Sequence, residues 1–447
     1  MTVLMPITRL ARACAWISLL LLPFWTRFIS TPPLLAHQYV TRFVLLIPML
    51  LTILLWLLGR AAGLRKLAQP LPRALWAIAL MGLALWGFAS LSWAFMRNQY
   101  PPHPEVGETA ALQWGLVVLF VIAAASLDLS PRAAIGALTL GLILNGAIAL
   151  AQVAAQQSVG LRLLGEFVYG PGVQGISLLR AGDLVYLRPY ALMPHPNIAA
   201  GLLLVGTLAA CAGIVSPHRA IRWLSAPLIA AGVLAILLIF SRAAWGGLVI
   251  GGIILLPFIM RHVRRDPWVR MPVLLTILLI AAAGVWFFLH YQPFILSRTG
   301  QVEEGIEMRS IADRLVFTEF ALQSISERPL LGVGIGNFPW RTSYYLIGTF
   351  YDLRGDNVHN IYLAVWAELG TPGLLLYLIA IASGIIAAVQ AIRRAPDDER
   401  LPHAALLAIA IALLAIGWLD HYPYTILHLQ VALWGCLAIA GNQKGRT

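Results

Sequence analysis

Charged side chains are scarce in this 447-residue chain. Asp, Glu, Lys and Arg make up 11% of it, whereas an average soluble domain has roughly 25%. Hydrophobic residues make up 60%, and many of them form long runs. Because a bilayer core about 30 Å thick needs roughly 20 apolar residues for each helical span, the sequence predicts an all-α integral membrane protein rather than a soluble one.

Acidic residues are also few, with 19 Asp and Glu against 31 Lys and Arg and a net charge of +12. The basic residues lie mostly in short loops between apolar runs. This pattern indicates membrane orientation rather than nucleic-acid binding, and it places both termini in the cytoplasm.

Cysteine is nearly absent. Cys14, Cys211 and Cys436 all fall inside apolar runs, and their positions lack metal-ligand spacing. We therefore expect them to be small buried side chains.

The apolar runs predict about twelve transmembrane helices. The first run, Ala11 to Trp25, has the basic flank of a signal peptide, but no small-residue cleavage site follows it, so we expect a retained helix. The runs are centred near Leu19, Leu50, Leu85, Val118, Leu142, Val205, Gly232, Ile250, Ile280, Ile379, Ile409 and Leu433.

Two connections, Gln157 to Pro194 and Tyr291 to His359, are much longer than the others and fall on the outer side. Long connections are usually functional or disordered. In the second, an amphipathic stretch from Met308 to Ser326 precedes the breaker-rich Pro329 to Gly336, which predicts short helices. The predicted organisation is five spans in residues 1–156, the first outer loop and four spans in 157–290, the large outer loop in 291–360, and three spans in 361–447.

The first candidate site closes the first long loop. Arg188 is followed by His195-Pro-Asn197, and the prolines predict that a helix begins at Asn197 as its N-cap. A helix N-terminus beside a guanidinium group can bind an anion. The alternative is that Arg188 contacts lipid headgroups and that the His-Pro-Asn segment is a rigid turn.

The second candidate site is Ser241-Arg242, which interrupts a long apolar stretch from Ala226 to Met260. If the stretch turns back on itself there, Arg242 is the only charged group of a short outer turn. It then contacts either a lipid phosphate or a substrate phosphate, and its position does not decide between them.

The third candidate site lies where the large outer loop re-enters the membrane. His359 can accept a proton near neutral pH, as a general base must. Glu368 lies nine residues later, on a different helix face and within the bilayer. The breaker Gly370-Thr-Pro-Gly373 predicts that a short helix is separated there from the following span. The alternative is that His359 only caps a helix.

Other polar groups give weaker signals. Gly332 to Gly336 is glycine-rich but lacks a strand before it and a Walker lysine after it, which argues against phosphate binding. Asp420, His421 and His290 lie at span ends, and we expect no metal-ligand cluster among them, although Asp420 and His421 could join an outer-face site.

Together, the motifs resemble the O-antigen ligase and polymerase superfamily of bacterial membrane glycosyltransferases. The resemblance covers roughly Arg188 to Gly373. Its matching segments are Arg188 with His195-Pro-Asn197, Ser241-Arg242-Ala-Ala-Trp-Gly, Arg314-Leu, Glu327-Arg-Pro-Leu-Leu-Gly-Val-Gly-Ile-Gly-Asn-Phe338, and His359-Asn360 with Glu368-Leu-Gly.

The resemblance implies a helical membrane bundle that transfers a glycan from a polyprenyl diphosphate to a hydroxyl group, without a metal or other cofactor. It implies that Arg188 and Arg242 hold the donor diphosphate and that His359 is the catalytic base. The supporting residues that it implies are His195, Asn197, Arg314, Asn360 and Glu368. Attack opposite the diphosphate would invert the anomeric configuration.

The sequence leaves several functions open. A ligase and a polymerase of this superfamily differ in the acceptor, which the sequence does not identify. A transporter or flippase of lipid-linked sugars fits the number of spans, but only Asn145, Gln152 and Glu368 supply polar groups inside them. A non-enzymatic scaffold for envelope assembly has no positive support. The expected partners are the lipid-linked donor, the acceptor and membrane lipids, with no nucleic acid and an undetermined oligomeric state.

Overall fold

The computed structural model describes residues 4–26, 43–62, 71–100, 102–298, 305–346 and 356–442. Helices dominate this part of the chain. They are α1 (Leu4–Leu21), α2 (Leu46–Ala61), α3 (Leu71–Ser90), α4 (Glu105–Ser126), α5 (Pro131–Ala155), α6 (Pro196–Cys211), α7 (Arg219–Ile239), α8 (Arg242–Arg265), α9 (Pro267–Arg298), α10 (Gly305–Glu327), α11 (Phe338–Tyr345), α12 (Ile361–Arg394), α13 (Asp397–Ile416), α14 (Tyr422–Thr425) and α15 (Leu427–Ala440).

Each of the twelve predicted span centres lies in one of these helices. Within the described residues, nine helices are long and apolar enough to cross a membrane, while α2 and α15 are apolar but shorter. The multi-pass helical architecture is therefore confirmed, and the count of twelve stays a prediction. The ends of the chain, 1–3 and 443–447, lie outside the described residues, so the location of the termini also stays a prediction.

The described residues are mostly helical, in agreement with the all-α prediction, and the first long loop adds a β-hairpin that was not predicted. Strands β1 (Leu178–Ala181) and β2 (Leu184–Leu187) pair antiparallel. Gly182 in the two-residue turn has φ +61°, a conformation that glycine adopts without strain. The strands have only four residues each, which is too short for their pattern to stand out in the sequence.

The second long loop was predicted to begin near Tyr291, and the backbone of α9 departs from helical geometry at that residue. Helical turns continue beyond this kink to Arg298. The amphipathic stretch forms α10, where Phe317, Ala321 and Ile325 are buried as its spacing predicts, but Leu315 is exposed. Residues 347–355 of this loop lie outside the described residues.

Helix α12 is broken at Gly370, as predicted, where the backbone has φ +64° and ψ −172°. The glycine-rich loop lies against the turn before the break. Val333 N donates to Ala367 O over 2.9 Å, and Gly334 N donates to Glu368 O over 2.8 Å. These bonds satisfy two carbonyls of α12 next to the break. The glycine-rich loop therefore has a structural role beside Glu368.

Ion pairs mark one end of the helix bundle. Arg132 at the start of α5 pairs with Asp398 at the start of α13, and Arg222 pairs with Asp266 between α8 and α9, at 3.1 Å. The starts of α6, α8 and α12 lie at the opposite end of the bundle. This follows because α6 runs toward the start of α7, α8 runs toward Asp266, and α12 runs toward the start of α13. This opposite end, which carries Arg188, Arg242 and His359, is called the site end below.

Candidate functional site

Arg188 follows β2 and fastens three segments together. Its side chain is buried. Nε donates to Ile239 O over 2.7 Å, Nη1 to Ser177 Oγ over 2.8 Å, and Nη2 to Asn197 Oδ1 over 2.7 Å. Arg188 thus joins the hairpin loop to the end of α7 and the start of α6, and these three acceptors are uncharged.

His195, rather than the expected Asn197, is the N-cap of α6. Its backbone is extended, and its Nδ1 accepts a hydrogen bond from Asn197 N over 3.1 Å. The prediction failed because proline is favoured at the first helical position, so the helix begins at Pro196. Desolvation by the surrounding protein, followed by the charge of Arg188, lowers the pKa of His195 and so favours its neutral form.

Because His195 caps the helix, the Asn197 side chain is able to bridge two charged groups. Asn197 Oδ1 accepts from Arg188, and Asn197 Nδ2 donates to Asp420 Oδ2 over 2.9 Å. The buried Asp420 also accepts from His421 N, at Oδ1, over 2.9 Å. A continuous set of contacts therefore runs from Arg188 through Asn197 and Asp420 to His421.

His421 lies beside His359. The ring centroids are 5.5 Å apart, with the rings at 79°. His421 Nδ1 contacts Thr425 Oγ1 at 2.8 Å, and His421 Nε2 lies 3.9 Å from Asp356 Oδ1. The structure thus brings His359 to the set of contacts that begins at Arg188.

The surroundings keep His359 neutral. Burial is the main cause that lowers its pKa to about 4, and the charges of His421 and Arg314 act in the same direction, against Asp420 and Asp356. Its Nδ1 is buried and has no hydrogen-bond partner among the residues that the structure describes. A neutral imidazole with an unpaired nitrogen is suited to accepting a proton.

A metal could be held at the same place. The ligand atoms of Asp356, His359 and His421 all lie within 4.8 Å of one another. His421 joins this group because the loop after α13 returns to the start of α12. Sequence spacing does not show such a return. The expected absence of a metal site stays a prediction.

Arg242 is the first residue of α8 and is exposed. The predicted turn exists: α7 ends at Ile239, Phe240 has φ +56°, and Ser241 is the N-cap. Arg188 contacts the carbonyl of Ile239, three residues before Arg242. Both arginines therefore belong to the same corner of the bundle, which we call the α7–α8 corner.

The remaining predicted residues differ in their surroundings. Arg314 on α10 is partly buried and acts on His359 through its charge. Asn360 caps α12, because its Oδ1 accepts from Tyr362 N and Leu363 N over 2.9 and 3.0 Å. Glu368 is buried, and its Oε2 accepts from Tyr424 over 2.8 Å.

Sequence reasoning missed Asp356 and Ser177 and left Asp420 and His421 undecided. The one available signal was that Asp420 and His421 follow directly after an apolar run, at the same predicted side as His359. Ser177 gave no signal, since its contact with Arg188 depends on the hairpin.

Residues 199–378 match the family model of O-antigen ligases. This match confirms the predicted relationship to the O-antigen ligase and polymerase superfamily. It includes Arg242, Arg314, His359, Asn360 and Glu368, and it begins after Arg188, His195 and Asn197. A comparison with curated proteins finds no match. The family match and the apolar helices indicate a multi-pass bacterial membrane protein of a glycan-transferring family that uses lipid-linked glycans.

Proposed function

We propose that the protein transfers a glycan from a polyprenyl-diphosphate donor to a hydroxyl group of a lipid- or glycan-linked acceptor. The reaction takes place at the outer face of the bacterial cytoplasmic membrane. The observation that carries this proposal is the set of contacts from Arg188 through Asn197 and Asp420 to His421, which ends against His359.

The arginines of the α7–α8 corner hold the donor diphosphate. Negative charge grows on the diphosphate as the glycosidic bond breaks, and fixed cations stabilise that charge best when they do not have to reorganise. Arg188 is fixed by its three hydrogen bonds. Arg242 stands at the N-terminus of α8, where the helix dipole adds positive potential.

His359 is the base. As the acceptor oxygen bonds to the anomeric carbon, His359 takes the hydroxyl proton, and the bond from that carbon to the diphosphate oxygen breaks. Polyprenyl diphosphate leaves with the bonding electron pair, and the anomeric configuration inverts. The pKa of His359 is lowered to about 4, so the imidazole is neutral at physiological pH and able to accept the proton, although it is a weaker base than an ordinary histidine.

Replacing the proposed base, His359, or the proposed diphosphate-binding residue Arg242 tests this function. In purified protein supplied with lipid-linked donor and acceptor, His359→Ala and Arg242→Ala should each lower transfer by at least about a hundredfold. The controls are His290→Ala and Arg97→Ala, which remove exposed residues of the same types. Full transfer by either test variant, with melting temperatures unchanged, would contradict the mechanism.

The acceptor distinguishes a ligase from a polymerase of this superfamily. A ligase should accept a lipid A core oligosaccharide, and a polymerase should accept a second lipid-linked repeat. Offering both acceptors with one labelled donor distinguishes them by product size. Movement of the labelled donor across proteoliposomes without a new glycosidic bond would instead indicate a flippase.

A further inference from the structure

A cavity lined by both polar and apolar side chains lies beside Asn357, two residues before His359. Its volume is about 80 Å³. One water molecule needs roughly 10–15 Å³, so the cavity has room for a ligand group of several heavy atoms. Among its lining residues are Thr109, Gln113, Asn357, Glu368, Tyr424 and Gln430.

The polar side chains of the cavity lie well below the helix ends. Gln113 is eight residues after the start of α4, and Glu368 is seven after the start of α12, which puts both about 11–12 Å along their helices. Gln113, Glu368 and Gln430 are all buried. Polar groups at membrane depth are costly and therefore mark functional sites.

Most of these polar groups hold one another in place. Gln113 Nε2 donates to Gln430 Oε1 over 2.6 Å, and Tyr424 donates to Glu368 over 2.8 Å. Asn357 also lines the cavity, and its buried Oδ1 has no hydrogen-bond partner among the described residues. The cavity therefore has a polar lining side chain that is not held by the others.

We propose that this cavity is a subsite for one pyranose ring of the acceptor glycan. Amides, a carboxylate and the aromatic rings of Trp114 and Tyr424 line it. Sugar hydroxyls can donate to the oxygens, and the apolar faces of the ring can pack on the aromatic walls. This proposal rests on the proposed function, which supplies the acceptor.

The residues around the cavity favour the acceptor over the donor as its occupant. Asn357 lies two residues before His359, and Thr425 both lines the cavity and contacts His421. Arg188 connects to His421 through other residues, Asn197 and Asp420. The cavity and Arg188 therefore contact the two histidines through different side chains, which favours the acceptor as the occupant of the cavity.

Direct sugar binding tests the subsite without any transfer step. The full chain in nanodiscs is titrated with hexoses, N-acetylhexosamines, heptoses and hexuronates, and binding is measured by saturation-transfer NMR. At least one pyranose should bind in the millimolar range. If no pyranose of the panel binds in that range, the inference is overturned.

Two variants change the cavity and one is a control. Thr109→Leu adds bulk at a side chain whose hydroxyl donates to Glu105 O of its own helix, and Asn357→Ala removes a polar side chain that lines the cavity. Both should weaken sugar binding about tenfold. Leu112→Phe adds bulk on the exposed face of the same helix and should leave binding unchanged. Equal binding by all three variants would overturn the subsite.

Transfer kinetics then show whether the acceptor or the donor occupies the subsite. Thr109→Leu should raise the acceptor KM about tenfold and leave the donor KM unchanged, whereas a raised donor KM alone would overturn the assignment to the acceptor. His359→Ala should retain sugar binding. If His359→Ala also retained transfer, the proposed mechanism would fail while the subsite stood. If wild-type protein bound no sugar, the subsite would fail whatever the activity of His359→Ala.

Discussion

Glycan transfer should persist to more acidic pH than an ordinary histidine base allows. The pKa of His359 is lowered from 6.5 to about 4, chiefly by burial. At pH 5.5 a base of pKa 4 is about 97% neutral, whereas a base of pKa 6.5 is about 9% neutral, a tenfold difference. The measurement is kcat/KM for transfer between pH 4 and 8, where the rate should fall only near pH 4.

The fall of kcat/KM at low pH, called the acid limb below, should follow the pKa of His359. Replacing a charged group near His359 should move the acid limb in a direction set by the sign of the charge removed. The titratable groups that face it are His421, Asp420, Arg314 and Asp356. His421→Gln removes a group whose positive charge disfavours protonation of His359, so the limb should move to higher pH. Asp420→Asn removes a carboxylate that favours protonation, so the limb should move to lower pH. Each shift should be roughly half a unit to one unit.

Asp398→Asn is the matched control for Asp420→Asn. Asp398 is exposed and pairs with Arg132 at the opposite end of the bundle, so its replacement should leave the acid limb unchanged. A wild-type limb near pH 6.5, or shifts of the same sign in His421→Gln and Asp420→Asn, would refute the assignment of His359 as the base in these surroundings.

Three further changes test the framework of the site. Arg188→Lys keeps the charge but cannot form the three hydrogen bonds of the guanidinium, so both the melting temperature and the transfer rate should fall; an unchanged melting temperature would contradict the fastening role. Gly370→Ala places a Cβ 2.1 Å from Leu330 O at φ +64° and should lower the melting temperature by several degrees, whereas Gly246→Ala, which meets open space, should not. A reporter fused after Arg242 should read as outer in a topology assay, and a cytoplasmic reading would place the α7–α8 corner on the wrong side.

The features that local sequence patterns encode were predictable. Apolar runs located the helices, because burial in lipid requires a length of about 20 residues wherever it occurs. The breaks at Phe240 to Ser241 and at Gly370 were also predictable, from a polar pair inside an apolar run and from a Gly-Thr-Pro-Gly segment. Both breaks exist in the structure, and they give the α7–α8 corner and the turn of α12 beside Glu368.

The features that depend on distant contacts were not predictable. Asn197 was expected to cap its own helix, but it bridges Arg188 to Asp420, which lies 223 residues away in the sequence. Proline at the first helical position favours His195 as the cap, but the local pattern does not show what the Asn197 side chain then contacts. The position of Asp420 against α6 decides that contact.

The hydrogen bonds of the buried Arg188 restrict its movement during the proposed reaction. Its hydrogen bonds reach the hairpin loop, α7 and α6, so a movement of Arg188 toward a ligand would break contacts in three segments. Its charge therefore acts from a fixed place, whereas Arg242 lies exposed at the start of α8. On this reasoning, Arg242→Lys should mainly raise the donor KM, because a lysine keeps the charge at the exposed position but loses the bidentate geometry of the guanidinium. Arg188→Lys should mainly lower kcat, because the fixed alignment with Asp420 and His421 is lost. Equal effects of the two substitutions on KM and kcat would show that the two arginines have the same role.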